Sequence, residues 1–338
     1  MSVNSSLRQP NSEALALSQE ATRHLQRHKS TGVLPIPVPF ISNPESTEVW
    51  LMYERLLLSC LRTGDDKTAH LCLERLIERF GATNERVMGL RGMYQEAVAS
   101  GDAALERILQ EYNEVLAEDQ VNTPIAKRRV ALLQSRTRTT DAIGALVQLL
   151  ESSPTDIEAW AELSELYVSQ SLYSQATFCL EEVLLVAPNA WNMHARLGEI
   201  LLLASANVNE DFQTKALSEA TRRFCRSVEL CDDYIRGFYG LKMVSRSIRQ
   251  ILQELTRLQA SDRLLVALSE GNAKSEPSSI PNDGKCSILD GVILRKLNEN
   301  ATSRLAELIR TSPKDPHHYA EIIAAKDLLG KATQSRTR

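Results

Sequence analysis

The sequence predicts an all-α chain built from stacked helical repeats, and three observations support this. Glycine and proline, the residues that break helices, number only 14 and 12 among 338 residues, fewer than an average globular protein contains. Apolar residues recur at helical spacing along most of the chain. Two prolines that end such stretches, Pro154 and Pro188, lie 34 residues apart, a spacing typical of helical repeats. Hydrophobic residues make up 43% of the chain, which excludes a disordered polymer.

The unit that ends at Pro188 carries the most complete repeat pattern. Numbered from Ile157, it has small residues where two antiparallel helices must approach closely and bulky residues on either side of that contact. The residues at positions 4, 7, 8, 11, 20, 24, 27 and 32 are Trp160, Leu163, Ser164, Tyr167, Ala176, Leu180, Val183 and Pro188. This is the tetratricopeptide pattern, and it predicts a right-handed tetratricopeptide-repeat solenoid in which Trp160 and Ala176 belong to the core.

The same phase extends in both directions from this unit. Earlier units begin at Trp50, Asn84 and Thr123, and a later unit follows Pro188 with ten extra residues between its two helices. A sixth, degenerate unit is predicted to run to about Leu268.

The flanks of the repeat region differ from it in composition. Residues 1–47 are predicted to form a tail, one helix and a proline-rich connector, and residues 48–268 the solenoid. Polar residues and helix breakers predict a flexible loop over residues 269–287. Residues 288–338 are predicted to form capping helices and a tail. Helical caps are expected at both ends, because an exposed terminal repeat would leave apolar surface in water.

No catalytic, cofactor or metal site is predicted. The chain contains no glycine-rich phosphate loop, no GxSxG and no HExxH, the motifs that carry such chemistry. His24 and His28 lie one helical turn apart and could hold a metal. A pair at the edge of an apolar stripe is the favoured interpretation. We therefore expect a protein that is not an enzyme and needs no cofactor.

Charge and hydropathy bound the partners. Lys plus Arg number 39 and Asp plus Glu 43, a net charge of −4, which disfavours nucleic acid and anionic lipid as ligands held by bulk charge. No stretch is long and apolar enough for a transmembrane helix, and the N-terminus lacks the apolar core of a signal peptide. The six cysteines form no CxxC pair and mostly fall among apolar residues, as expected for reduced thiols. The sequence thus predicts a soluble cytosolic protein.

The candidate binding surface is the groove lined by the first helix of each repeat. In stacked helix pairs, positions 2, 5, 9 and 12 of each first helix face the concave side. We predict that an extended or helical partner segment with some apolar character binds there. The predicted groove residues are Lys127, Ala131, Gln134, Glu158, Ala161, Glu165, Val168, Asn192, Ala195, Glu199 and Leu202.

Three consecutive basic residues lie on one of these first helices. Lys127, Arg128 and Arg129 are predicted to point to three different faces, because neighbouring helix positions diverge. Only Lys127 would face the groove. A contact from Lys127 to a phosphate or an acidic peptide stays open, although a solvated surface is favoured.

The stretch Glu158–Leu185 resembles one family more closely than the repeat class alone. Its sequence, EAWAELSELYVSQSLYSQATFCLEEVLL, is similar to that of the family of subunit 2 of the endoplasmic reticulum membrane protein complex. Shorter matches occur in the expected order between about residues 45 and 250: Arg91–Met93, Glu96–Ala97, Ala126–Arg129 and Arg236–Leu241.

This resemblance implies a function that periodicity alone does not supply. Members of the family are non-catalytic cytosolic scaffolds of a complex that inserts tail-anchored and multi-pass proteins into the endoplasmic reticulum membrane without using nucleotide. By resemblance, this chain would bind the cytosolic segments of membrane-embedded subunits and a globular cytosolic subunit. It would lie peripherally on the cytosolic face of the membrane, without direct lipid binding.

Two functions from other classes stay open. One is a general co-chaperone or adaptor, which is disfavoured because the groove has Lys127 and Arg196 but lacks the asparagines of a carboxylate clamp. The other is a helical-repeat scaffold for RNA processing, which is disfavoured by the net charge and by the lack of a basic stripe.

Overall fold

Every element of regular structure that the computed structural model describes is helical. It describes residues 10–29, 47–207, 210–269, 291–311 and 319–334, which hold fourteen α-helices and one 3₁₀ turn at Ser205–Asn207. The helices are α1 Asn11–Lys29, α2 Thr47–Thr63, α3 Asp66–Phe80, α4 Glu85–Val98, α5 Asp102–Glu118, α6 Thr123–Ser135, α7 Thr139–Ser152, α8 Ile157–Ser169, α9 Tyr173–Val186, α10 Trp191–Ala204, α11 Glu210–Leu230, α12 Ile235–Ser269, α13 Gly291–Thr311 and α14 Tyr319–Gln334. The all-α, tetratricopeptide-repeat fold class is confirmed.

The chain divides into two compact units, Met1–Asp156 and Ile157–Arg338. The first holds α1–α7 and the second α8–α14. The predicted repeat region at residues 48–268 therefore contributes to both units. In the first unit α2 packs on α3, α6 on α7, and the first helices α4 and α6 on each other. In the second unit α8 packs on α9 and α10 on α11.

Helix starts in the first unit follow from local capping. Asp65 accepts a hydrogen bond from the backbone amide of Thr68, and Asn84 and Asn122 accept equivalent bonds at the starts of α4 and α6. Such caps satisfy amide groups that have no partner within the helix. After α3 the chain turns at Gly81, whose φ of 86° lies in the region that favours glycine.

The core of the first unit joins α1 to the first two repeats. The buried side chains that form it are Ala21, Leu25, Tyr53, Leu56, Leu57, Leu58, Cys60, Ala69, Cys72, Leu73, Leu76, Val87 and Leu90. Ala21 and Leu25 belong to α1, which packs on α2 and α3. The helix predicted within residues 1–47 is thus present, and it covers the first repeat.

Two cysteines of this core are poor nucleophiles. Cys60 and Cys72 are fully buried, and burial raises the pKa of Cys60 and raises that of Cys72 to about 12. Because the folded-state pKa of Cys72 exceeds its usual value of 9.0, the thiol stabilises the fold below pH 9, and this contribution is lost as the pH rises towards 12.

We expect iodoacetamide at pH 8 to alkylate Cys72 more than about 100-fold slower than a free cysteine, because the thiolate is the reactive form. Peptide mass spectrometry of a time course measures the rate. The half-buried Cys231 is the internal comparison. Equal rates at Cys72 and Cys231 would contradict the buried, protonated state.

The repeat formed by α8 and α9 shows how a serine replaces the usual small residue at the helix crossing. Ser164 is fully buried, and its hydroxyl donates a hydrogen bond of 3.0 Å to the carbonyl oxygen of Ala176. Ala176 is itself fully buried. The bond satisfies the hydroxyl where the two helices approach most closely, so serine is tolerated there.

Trp160 packs against the core of this repeat, as predicted, but it is not fully buried. It contacts the cluster of buried side chains that includes Ala176, Leu180 and Val183 and is itself half-buried. Its ring meets the ring of Phe178 edge-on, at a centroid distance of 6.0 Å. Phe178 is 54% exposed, so it leaves Trp160 partly in contact with water. Leu180 and Val183, like Ser164 and Ala176, are fully buried.

The last repeat departs from the regular pattern in two ways. Much of the predicted insertion lengthens the second helix, since α11 has 21 residues. The degenerate sixth repeat is one continuous helix, α12, of 35 residues rather than a pair. The helices α13 and α14 pack on α12, which fits their predicted role as a cap.

Several predicted features lie outside the described residues. These are the N-terminal tail, the proline-rich connector, the loop at residues 269–287 apart from Ser269 at the end of α12, and the side chains of His24 and His28.

Candidate partner-binding surface

Ion pairs join the first helices of consecutive repeats at a nearly constant sequence separation. Glu54 on α2 accepts a hydrogen bond of 2.6 Å from Arg86 on α4, 32 residues later. Glu96 on α4 pairs with Arg128 on α6, also 32 residues later. Each pair places a carboxylate and a guanidinium side by side on two first helices. An ion pair as exposed as Arg86 with Glu54, in which the Arg86 side chain is 51% exposed, contributes little stability. Such pairs nevertheless determine which charges remain for a partner.

In the second unit the equivalent pair extends to a second carboxylate. Arg196 on α10 donates from Nε and Nη2 to the two oxygens of Glu165 on α8, at 2.7 and 2.6 Å. Its Nη1 donates to Glu199 at 2.7 Å. The hydrogen bond to Glu165, followed by that to Glu199, raises the pKa of Arg196 above its ordinary value. Two carboxylates around one guanidinium leave this cluster with a net negative charge.

The basic run of the first unit separates into three environments. Lys127 pairs with Asp156 at 2.8 Å, and Arg128 pairs with Glu96. Arg129 instead donates to the side-chain oxygens of two neutral amides. The prediction that the three residues point to different faces is confirmed. The sequence had left open a contact between Lys127 and a phosphate or an acidic peptide. In the structure Lys127 pairs with a carboxylate of its own chain.

The predicted groove residues differ in how much surface they offer. Three of them, Glu158, Glu165 and Asn192, are exposed. Seven are half-buried: Lys127, Ala131, Gln134, Ala161, Val168, Glu199 and Leu202. Ala195 is a correction, because it is 1% exposed and packs in the core beside Leu217 and Phe224, so its side chain cannot contact a partner. Partner binding by the other ten stays a prediction.

Sequence reasoning missed the paired state of this surface. The sequence suggested for Arg196 only a disfavoured role in a carboxylate clamp. In the structure Arg196 forms ion pairs with both Glu165 and Glu199. The signal was present in the sequence as a glutamate followed by an arginine 31 or 32 residues later. It can be interpreted only once the repeat phase shows that such residues lie on adjacent first helices.

Neither a metal-binding cluster nor a membrane-spanning helix is present in the part of the chain that the structure describes. That part of the chain contains no group of three His, Cys, Asp or Glu side chains that could hold a metal ion. None of the helices described there is long and apolar enough to cross a membrane.

Comparison with a solved structure agrees with the repeat architecture. The C-terminal part of a TPR repeat-containing protein from Cytophaga hutchinsonii superposes with a TM-score of 0.50 at 11% identity, covering 95% of this chain and 99% of that chain. At this level of identity the likeness concerns the fold alone.

Sequence comparisons identify the family. The family model of the EMC2 TPR-like repeat domain matches residues 89–219. The chain is 37% identical to the TPR repeat protein oca3 of Schizosaccharomyces pombe, over 69% of this chain and 77% of that protein. It is 33% identical to ER membrane protein complex subunit 2-B of Xenopus laevis, over 59% of this chain and 63% of the relative. The resemblance seen in Glu158–Leu185 is confirmed, and the chain belongs to the family of subunit 2 of the endoplasmic reticulum membrane protein complex.

Proposed function

We propose that this protein is a non-catalytic scaffold subunit of the endoplasmic reticulum membrane protein complex. Relatives named as subunit 2 of that complex support membership, and the helical-repeat fold suits a protein that works by holding others. We place it peripherally on the cytosolic face of the endoplasmic reticulum membrane, where it takes part in inserting tail-anchored and multi-pass proteins. The membrane chemistry then belongs to its partners.

The finer proposal is that the first-helix face holds cytosolic segments of the membrane-embedded subunits. The observation that carries it is the charge of this face in the second unit. This face carries three glutamates, Glu158, Glu165 and Glu199. The guanidinium of Arg196 on the same face already forms ion pairs with Glu165 and Glu199. Cytosolic segments next to transmembrane helices are enriched in Lys and Arg. An acidic face with half-buried apolar side chains complements such segments in charge and in apolar character.

The experiment reverses charge on this face without disturbing the Arg196 cluster. We expect the double variant Glu158→Lys, Asn192→Arg to reduce co-purification of membrane partners from detergent-solubilised membranes at least tenfold, a loss of about 1.4 kcal/mol. Both positions are exposed, so the fold should survive. Quantitative mass spectrometry of the purified complex provides the measurement.

The matched control is Gln175→Arg, Glu181→Lys on α9. It changes the charge by the same amount at two exposed positions of a second helix, and we expect it to leave partner yield unchanged. An equal loss in both variants would mean that charge alone, and not the first-helix face, matters. Flotation of the purified chain with protein-free liposomes would point to lipid recruitment and would count against the proposal.

The co-chaperone alternative loses support from the same geometry. A clamp for a C-terminal carboxylate needs cations that are available to the ligand. Lys127 pairs with Asp156, and Arg196 pairs with Glu165 and Glu199. Both cations considered for such a clamp are therefore already neutralised within the chain.

A further inference from the structure

A second candidate site lies in the first unit, among α5, α6 and α7. A cavity of about 460 Å³ opens there. Its walls combine two buried leucines, three side-chain amides and one guanidinium: Leu116, Leu149, Asn113, Gln120, Gln148 and Arg129. Most of these residues belong to α5 and α7, the second helices of their repeats, so the site is separate from the first-helix face.

Arg129 is a half-buried cation that meets no carboxylate among the residues that the structure describes. Its Nη1 donates to Asn113 Oδ1 at 3.3 Å and its Nη2 to Gln148 Oε1 at 2.7 Å. Its Nε is buried and finds no hydrogen-bond acceptor in the described part of the chain. Burial without a counter-charge lowers the pKa of Arg129 below its ordinary value. The neighbouring Arg128, by contrast, is neutralised by Glu96.

An uncompensated guanidinium of this kind is costly to the free protein and favours an anionic ligand. Removing a charge from water costs free energy unless hydrogen bonds and an opposite charge replace the water. A carboxylate placed beside Arg129 would supply the missing charge and could accept from the guanidinium fork. Asn113 and Gln148 accept from Arg129 through their oxygens, which leaves their NH₂ groups to donate to the same ligand.

We propose that this cavity binds a carboxylate-bearing segment of a partner protein, a glutamate or aspartate side chain within an extended peptide. A volume of about 460 Å³ lies in the range of sites that hold molecules much larger than a single ion. The leucines offer apolar contact, and the amides can bond to peptide N–H and C=O groups. One cation, with Glu151 also on the lining, suits a single negative charge better than a phosphate dianion. This site goes beyond the proposed function, which concerns the first-helix face.

The test uses the guanidinium itself as the reporter. The full-length ¹⁵N-labelled protein is titrated with the blocked tripeptide acetyl-Ala-Glu-Ala-amide, and the arginine Nε–Hε signals are followed by NMR. The Arg129 signal is assigned by its loss in Arg129→Lys. We expect it to shift saturably, while the signal of Arg91, whose Nε is also buried without a partner, stays in place. The neutral peptide acetyl-Ala-Gln-Ala-amide should bind at least tenfold more weakly.

Two variants separate recognition from folding. Arg129→Gln removes the charge and also the reporter signal, so binding to this variant is followed at the side-chain NH₂ signals of Asn113 and Gln148. It should abolish the difference between the two peptides. If that variant melts earlier than the wild type, the exposed pair Asn113→Ala, Gln148→Ala takes its place and should weaken the glutamate peptide at least tenfold, followed at the Arg129 signal. The variant Arg91→Gln should bind as the wild type does.

Three results would overturn the proposal. The first is no shift of the Arg129 signal up to about 50 mM peptide, well above a millimolar dissociation constant. The second is equal affinity for the glutamate and glutamine peptides. The third is tighter binding of inorganic phosphate than of the glutamate peptide, which would assign the cavity to phosphate groups rather than to protein carboxylates.

Discussion

Replacing Phe224 by alanine should destabilise the second unit by about 3–5 kcal/mol, the cost of emptying a large, fully buried aromatic site. Phe224 on α11 is fully buried, and its ring lies against Gly198 of α10 and Gly240 of α12. A Cβ atom at Gly198 would come within 2.8 Å of the ring, and one at Gly240 closer still. Three helices therefore meet on this one side chain, and at the two closest approaches the facing residue is a glycine.

Chemical denaturation followed by circular dichroism measures this loss. The control is Phe212→Ala on the same helix, because Phe212 is 64% exposed and its removal should change stability by less than about 0.5 kcal/mol. If the two variants were equally stable, the ring of Phe224 would not be the contact that holds α10, α11 and α12 together.

The sequence predicted this part of the fold because the information is local. Ala176, Ala220 and Phe224 stand at fixed positions of a repeat, and their size follows from how closely two helices must approach at those positions. All three are fully buried. The same reasoning placed Trp160 against the core, where it packs, but it did not foresee the contact with Phe178, a residue outside the pattern that is 54% exposed.

The length of α12 was missed for a different reason. The repeat pattern decays after Leu241, and the sequence predicted only a degenerate sixth unit that runs to about Leu268. The sequence from there to Ser269 contains no glycine and no proline, so nothing in it ends a helix. Loss of the repeat pattern indicates where the repeats end. The absence of glycine and proline after Leu241 indicates that the helix itself continues.

The sites depend on tertiary neighbours more strongly than the helices do. Residues at the groove positions could be named from the repeat phase, yet Ala195 is buried, because the exposure of a small residue depends on the next helix. The cavity at Arg129 could not be predicted at all. Asn113 and Gln148, which bind Arg129, come from helices on either side of α6 in sequence, and neither position has a required residue in the repeat.

Removing the carboxylate of Glu96 should destabilise the first unit by about 2–3 kcal/mol, because two donors lose their acceptor together. Tyr112 donates its hydroxyl hydrogen to Glu96 Oε1 at 2.7 Å, and Arg128 donates from Nε to the same oxygen at 3.1 Å. Tyr112 is 3% exposed, so solvent cannot replace Glu96 as the hydrogen-bond acceptor of its hydroxyl. The side chains of Glu96 and Arg128 are 14% and 23% exposed, which places the expected cost below that of a fully buried pair.

A double-mutant cycle isolates this network. Denaturation midpoints are compared for Glu96→Ala, Tyr112→Phe and the double variant, and the coupling between the two positions should be about 1 kcal/mol, because each substitution removes the same hydrogen bond. Glu114→Ala on α5, an exposed position, is the control and should cost less than about 0.5 kcal/mol.

Burial, followed by the hydrogen bond to Glu96, raises the pKa of Tyr112 above 10.0. The stability that this protonated phenol provides is therefore present below pH 10 and lost at higher pH, and Tyr112→Phe should reduce that alkaline loss. Additive effects in the cycle would show that Tyr112 and Glu96 do not share a bond, and α4 and α5 would then be held together by other contacts.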